Sequence, residues 1–248
     1  MTDYIMKAEG VLQDDHSFVR LVDSMPMPHR GLPPGVTHPG DRRIVEAARV
    51  SIAGEEVRAT SDDEKLIRYL IKNRHTSPLE QVVLTFHMRM PIFVARQIIR
   101  HRTARVNEES ARYGKLADDF YIPSITRLQA GGQAKDNKQG STGGVVGGGD
   151  AKAIRTAIQK TSVAAYALYE EFLKVDLARE LARMVLPTNI YTQWFWQMDL
   201  HNLMHFLELR LHPHAQWETR RYGEAILPMA EAVAPYAMKA WREFVLEA

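Results

Sequence analysis

Leu84-Thr85-Phe86-His87-Met88-Arg89-Met90-Pro91-Ile92-Phe93-Val94-Ala95-Arg96-Gln97-Ile98-Ile99 changes its periodicity once, and the change organises the chain around it. Leu84, Phe86, Met88 and Met90 alternate with Thr85, His87 and Arg89, the period of two expected of a strand with one buried face. Pro91 then opens a helix, because the first helical position needs no N–H donor. Its apolar face includes Phe93, Val94, Ile98 and Ile99, and its end presents Gln97, Arg100 and His101.

The next fourteen residues, Arg100-His101-Arg102-Thr103-Ala104-Arg105-Val106-Asn107-Glu108-Glu109-Ser110-Ala111-Arg112-Tyr113, hold four arginines, a histidine and two adjacent carboxylates. Apolar burial does not account for that density of polar groups. Arginine offers a planar fork that matches phosphate or carboxylate, and Glu108 can orient an arginine or hydrogen-bond a ligand edge. The plain alternative is a solvated, salt-bridged helix end, and at this level both stand.

The totals exclude several classes of function. With 248 residues and 45% hydrophobic content the chain can bury a substantial core. Thirty-two basic and thirty acidic residues give a formal charge of +2, so nothing points to generalised nucleic-acid or membrane binding. The absence of cysteine removes disulfides, zinc-thiolate sites and thiol nucleophiles together. Met1 to Gly10 carries Asp3, Lys7 and Glu9, and no segment reaches the roughly 18 uninterrupted apolar residues of a membrane span. The expected location is the cytoplasm.

Along the chain, residues 17 to 24 suit a first strand, and the proline-rich stretch Met25 to Gly40 suits irregular structure. Asp41 is placed to cap a helix through Val50, Ser61 with Glu64 to open another, and Ser77-Pro78-Leu79-Glu80 to open a third. Phe120 to Pro123 reads as a short strand. Residues 128 to 150 form an insert with eight of the fifteen glycines, expected as a mobile surface loop. Asp150 would cap a long helix with Ile154, Ile158, Val163, Ala164, Leu168 and Phe172 inward. Asp176 would cap another with Leu177, Leu181 and Val185 inward. Asn189 to Met198 is strand-like, and Asp199 can cap the helix Leu200 to Leu211. On that helix Leu203, Leu207 and Arg210 share one face, with His201, His205 and Glu208 on a neighbouring one. From Ala215 onward, one or two amphipathic helices break near Pro228 and Pro235. The expected fold is α+β, a central, largely antiparallel sheet flanked by long helices. A single domain spans 1 to 248, with the Gly-rich surface insert at about 128 to 150.

His201 and His205 have the i, i+4 spacing that can share a metal ion, but no third ligand stands at fixed spacing, and no metal is expected. Ser110 is not in a Gly-x-Ser-x-Gly elbow, and no Gly-x-Gly-x-x-Gly follows a strand. What remains is a small-molecule site of arginines and neutral polar groups, suited to phosphate-bearing ligands.

These residues carry a resemblance. Arg100-His101-Arg102, seven residues, then Ser110, continued in Asn107-Glu108-x-Ser110-x-Arg112-Tyr113, resembles the signature of the flavin-dependent thymidylate synthases. Ala47-Ala48-Arg49-Val50-Ser51, His75-x-Ser77-Pro78-Leu79-Glu80, Phe93-Val94-Ala95-Arg96-Gln97, Phe120-Tyr121-Ile122-Pro123, Arg183-x-Val185-Leu186-Pro187 and Leu209-Arg210 through His214-Ala215-Gln216 follow in that family's order. The resemblance implies reductive methylation of dUMP to dTMP. Methylenetetrahydrofolate would give the carbon, and FAD, recharged by NADPH, the hydride. The missing cysteine fits, because the other type of thymidylate synthase needs a thiol.

Carried over by position, the resemblance implies FAD contacts from His75, Ser77, Arg100, His101, Arg102, Glu108, Asp199, His201 and His205. One common family pattern has Asn-x-Arg, then Asn four residues later, where this chain has Asp199, His201 and His205. A carboxylate is a poorer partner for a pyrophosphate. For dUMP it implies Gln97, Arg100, Glu108, Glu109, Ser110, Ala111, Arg112, Arg183 and Arg210. Arg210 would be the catalytic group facing uracil and Ser110 a phosphate anchor in place of a nucleophile. The resemblance also implies a homotetramer with sites shared between subunits, the Arg100 to Arg112 segment of one chain meeting Arg183 and Arg210 of another. His87, His212, Trp194, Phe195 and Trp196 are expected to be structural.

Overall fold

The computed structural model describes residues 4–26, 38–51, 63–135, 140–141 and 146–247. Its centre is a five-stranded antiparallel sheet in the order β1-β2-β3-β5-β4. The strands are β1 (Met6–Glu9), β2 (Phe18–Met25), β3 (Val83–Pro91), β4 (Arg105–Glu108) and β5 (Tyr191–Asp199). β3 and β5 pair over nine positions, from Val83 opposite Asp199 to Pro91 opposite Tyr191. The alternation read from β3 is borne out, since Leu84, Phe86, Met88 and Met90 are all fully buried. Trp194, Trp196 and Met198 of β5 face the same side. Phe195 points the other way and stacks on His87, ring centroids 5.0 Å apart.

The buried face is covered by α1 (Pro39–Val50), α2 (Asp63–Lys72), α3 (Ile92–Ile98) and three later helices, α7 (Leu200–Leu211), α8 (Trp217–Val233) and α9 (Pro235–Trp241). Between these groups lie α4 (Ile125–Gln129), α5 (Gly148–Lys174) and α6 (Arg179–Ala182). Tyr166 and Tyr169 of α5 centre a smaller second cluster with Ala111, Leu116 and Ile190. Asp199 caps α7 as expected, its carboxylate accepting from the Asn202 N–H at 2.9 Å. Leu200 N–H donates to the Val82 carbonyl at 2.8 Å, tying the start of α7 to the foot of β3.

Several expected elements differ. Arg105 to Glu108 is no helix end but an edge strand on β5, because β5 has a free row of backbone donors and acceptors there. Ser77 to Glu80 opens only a single 3-10 turn, Leu79–Gln81, with no side-chain cap. Phe120 makes one isolated bridge to Ile190 in place of a strand. Ser61 lies outside the described residues, as do parts of the 128 to 150 insert. Gly147, not Asp150, caps α5. Ile154, Val163 and Leu168 of that helix are exposed, whereas Phe172 packs on the second cluster as expected. Asp176 takes a positive φ of 60° and α6, one short turn, starts after Ala178. α8 passes through Pro228 unbroken and the chain breaks only at Ala234.

Asp41 also departs from its expected role. It lies inside the first turn of α1, and its two oxygens accept from the Tyr236 and Ala237 N–H groups at 2.9 Å. It therefore caps α9, joining two helices far apart in sequence. Burial outweighs those two bonds and pushes its carboxyl from 3.8 up to about 6. Between those values the folded chain holds a proton that the unfolded chain has lost, so this group's contribution to stability falls as pH rises through the window. In urea unfolding, the stability of wild type relative to Asp41→Asn is expected to decline between 3.8 and about 6 and level off above. A difference that is flat or rising across that range would contradict the assignment.

Candidate active site

Two helices bring the polar residues together. α3 leaves the top of β3 and ends at the turn holding Arg100, His101 and Arg102, while α7 leaves the end of β5 and carries His201, Asn202, His205 and Arg210. His101 seats its ring edge-on to Phe206 with centroids 4.9 Å apart. Arg210 donates from Nε to His101 Nε2 at 3.0 Å and from Nη2 to the Gln97 carbonyl at 3.4 Å.

A nitrogen that accepts from a guanidinium carries no proton, so the imidazole proton sits on Nδ1. Burial, then the Arg210 charge, then His205 lower the His101 pKa to about 4. The ring is neutral at physiological pH. Burial also lowers the Arg210 pKa from its ordinary value. Among the described residues Arg100 and Arg102 have no carboxylate partner. The cleft of about 570 Å³ that they form with His101, Thr103 and Arg210 is thus strongly electropositive.

Asn202 and His205 border this cleft and also a neighbouring cavity of about 520 Å³. That cavity has apolar walls from Leu70, Leu79, Met204 and Trp241, and His75 and His201 at its rim. A third cleft of about 380 Å³ contains Arg96, Glu108, Glu109, Ser110 and Arg183. It shares no lining residue with the other two. Ala95, Arg96 and Ile99 border it, whereas Arg100 and His101 border the electropositive cleft, so α3 and its following turn form a wall between them.

The site residues read from the sequence therefore fall into two groups. His75, His201 and His205 share the apolar cavity, and Arg100, His101, Arg102 and Arg210 the adjoining cleft. Glu108, Glu109, Ser110, Ala111 and Arg183 share the third. Arg183 thus meets the signature segment inside one chain, while Arg210 does not border that cleft. Ser77 is exposed and Thr76 lines the cavity instead. Both oxygens of Asp199 are taken by Asn202, through its N–H at 2.9 Å and its amide nitrogen at 2.7 Å. Gln97 contributes its carbonyl to Arg210. Ser110 Oγ accepts from the Arg112 N–H at 3.3 Å, and Arg112 lies 3.7 Å from Glu180.

Three site residues were not anticipated. Thr192, almost fully buried, donates its hydroxyl to Glu108 Oε1 at 2.9 Å. Arg96 enters the cleft of Arg183 without a carboxylate partner among the described residues. It is the one charge in the apolar run from Ile92 to Ile99, which was its signal. Asn202 faces two cavities, and no pattern in the sequence marked it.

The model of the thymidylate synthase complementing proteins matches residues 36–236. The flavin-dependent thymidylate synthase of Thermus thermophilus is 48% identical over 233 residues, 94% of this chain and 78% of that protein. The chain belongs to the flavin-dependent thymidylate synthase family. The Treponema pallidum member is 47% identical over 223 residues, covering 90% of this chain and 68% of that protein. Among solved structures, a UMP/dUMP methylase from Streptomyces cacaoi, bound with 5-Br dUMP, superposes with a TM-score of 0.78 at 34% identity, over 92% of this chain and 95% of that one. As a family member the chain is a flavin-dependent enzyme.

Glu108 is held by a neutral hydroxyl, and loss of one such bond is worth about 0.5–1.5 kcal/mol. Thr192→Val, close in shape, is expected to lower kcat/KM about 2- to 10-fold with little change in Tm. An unchanged kcat/KM in steady-state assays would show that Glu108 needs no such restraint.

Proposed function

We propose that the chain methylates dUMP reductively to dTMP, taking its carbon from methylenetetrahydrofolate and releasing tetrahydrofolate. What supports this most directly is Arg210, held by two anchors beside two unpaired arginines in a family of this chemistry. When bound, reduced FAD, regenerated by NADPH, supplies the hydride that completes the methyl group. The residues present fit that cofactor. The unpaired Arg100 and Arg102 suit a diphosphate, and the adjoining apolar cavity with His75, His201 and His205 suits a flat ring system. Asn202 stands where the cavities join and takes over the cofactor contact that the resemblance implied for Asp199.

In the nucleotide half, Arg183 and Arg112 bind the dUMP phosphate with Ser110 and the backbone of Glu109 and Ala111. Ser110 acts as an anchor, because the Arg112 N–H already uses its oxygen and no imidazole borders its cleft. Gln97, Arg100 and Glu108 complete the nucleotide contacts, Glu108 also reaching toward FAD. Arg210 stabilises negative charge at uracil N3 and its flanking carbonyl, which makes C5 a better nucleophile. The nucleotide half and Arg210 face different clefts, so the complete site is shared between chains of a homotetramer. We place this single-domain enzyme in the cytoplasm, with no part in nucleic-acid binding. No helix among the described residues is long and apolar enough to cross a membrane.

The purified protein is expected to be yellow, bleached by NADPH, and slower to reoxidise with dUMP present. A colourless protein that cannot be loaded with FAD would overturn the assignment. Ser110→Ala should retain turnover while Arg210→Ala loses about 10²–10³-fold in kcat, the scale of one lost charge-stabilising donor. A dead Ser110→Ala that still binds dUMP would restore serine as nucleophile.

A further inference from the structure

Arg210 carries five N–H donors, and two are already committed within the chain, Nε to His101 and one of Nη2 to the Gln97 carbonyl. The acceptor at Nε is a neutral ring in a cleft that contains no carboxylate. A carboxylate in that place would hold the guanidinium equally well, but it would form an ion pair and cancel the positive charge that the reaction uses. A neutral acceptor orients the group and leaves its charge intact. The imidazole cannot wander, because Phe206 packs against it edge-on at 4.9 Å and His205 lies at 6.3 Å.

We propose that His101 is a positioning residue whose Nε2 fixes the Arg210 guanidinium, so that the remaining Nη hydrogens face the uracil without loss of charge. This deepens the dUMP assignment above and rests on it. Burial first, and then the surrounding charges, keep the ring in the accepting state. Arg210 and His205 from α7 oppose its protonation, and Arg100 and Arg102 flank it in the same cleft. Arginine otherwise loses much side-chain freedom on ordering, so an anchored guanidinium binds its target at lower entropic cost. A direct flavin contact from His101 is left to its Nδ1–H or ring face.

A double-mutant cycle on FAD-loaded protein tests this, with dUMP affinity read by calorimetry and FAD occupancy by absorbance. His101→Ala is expected to weaken dUMP binding about 10- to 100-fold in the wild-type background and to have almost no further effect in Arg210→Ala. His101→Gln, whose amide oxygen can accept from Nε, should recover most of the affinity. His101→Glu, which holds Arg210 but neutralises it, should not. If His101→Ala does not fold, His101→Asn, too short to reach Nε, takes its place in the cycle. Additive losses in the Arg210→Ala background overturn the proposal, as does a His101→Gln no better than Ala. A His101→Ala that loses FAD but, once reloaded, binds dUMP normally overturns it as well. Wild-type protein that binds FAD but no dUMP fails the dUMP assignment instead.

Discussion

The pairing of β3 with β5 is the constraint on which the rest depends. Its nine-position register sets Phe86 against Trp196 and buries one face of both strands, and a slip of one residue would turn every apolar side chain outward. The same register fixes where the two helices depart. α3 starts at Pro91 at one end of the ladder and α7 at Asp199 at the other, and they return over the buried face until His101 meets Phe206 and Arg210. The active geometry is thus a consequence of strand pairing and is carried by rigid elements.

Charge is distributed unevenly around that frame. Arg100, Arg102 and Arg210 share one cleft and Arg96 and Arg183 another, without carboxylate partners for these groups among the described residues. Like charges held close disfavour the empty fold, and anionic ligands offset that cost when they bind. Among the exposed apolar residues are Val163 and Leu168 on α5 and, just beyond it, Leu181 and Met184. The homotetramer proposed above gives them a surface to pack on, and it joins the nucleotide half of one chain to Arg210 of another.

β2, β3, β5 and α7 were legible because their signals are local, whereas the four-residue β1, Met6–Glu9, was not read as a strand. β3 alternates strictly, β5 is dense in aromatics, and Asp199 precedes an apolar helical run as a cap should. β4 was not, since Arg105 to Glu108 is wholly exposed and shows no alternation. Its strand state comes from the edge it joins. The α5 stripe was read correctly as a stripe, but periodicity does not say on which side the core lies, and Tyr166 and Tyr169 won the inward face. Ser77 and Asp176 resemble caps by composition, yet the turns that follow are too short to use them. In the site, the arginines were visible as unexplained charge. Thr192 and the His101 to Arg210 bond were not, because both depend on residues 84 and 109 positions apart.

The division of the substrate site between two chains is the central claim, and co-expression of two defective chains tests it most directly. Arg183→Ala damages only the nucleotide half and Arg210→Ala only the half that faces the ring. If each site takes one half from each chain, mixed oligomers contain some sites with both halves intact, and thymidylate synthesis returns although either variant alone is inactive. Mixed oligomers that are flavin-loaded and assembled but as inactive as the single variants would place Arg183 and Arg210 in one chain's site and contradict the account.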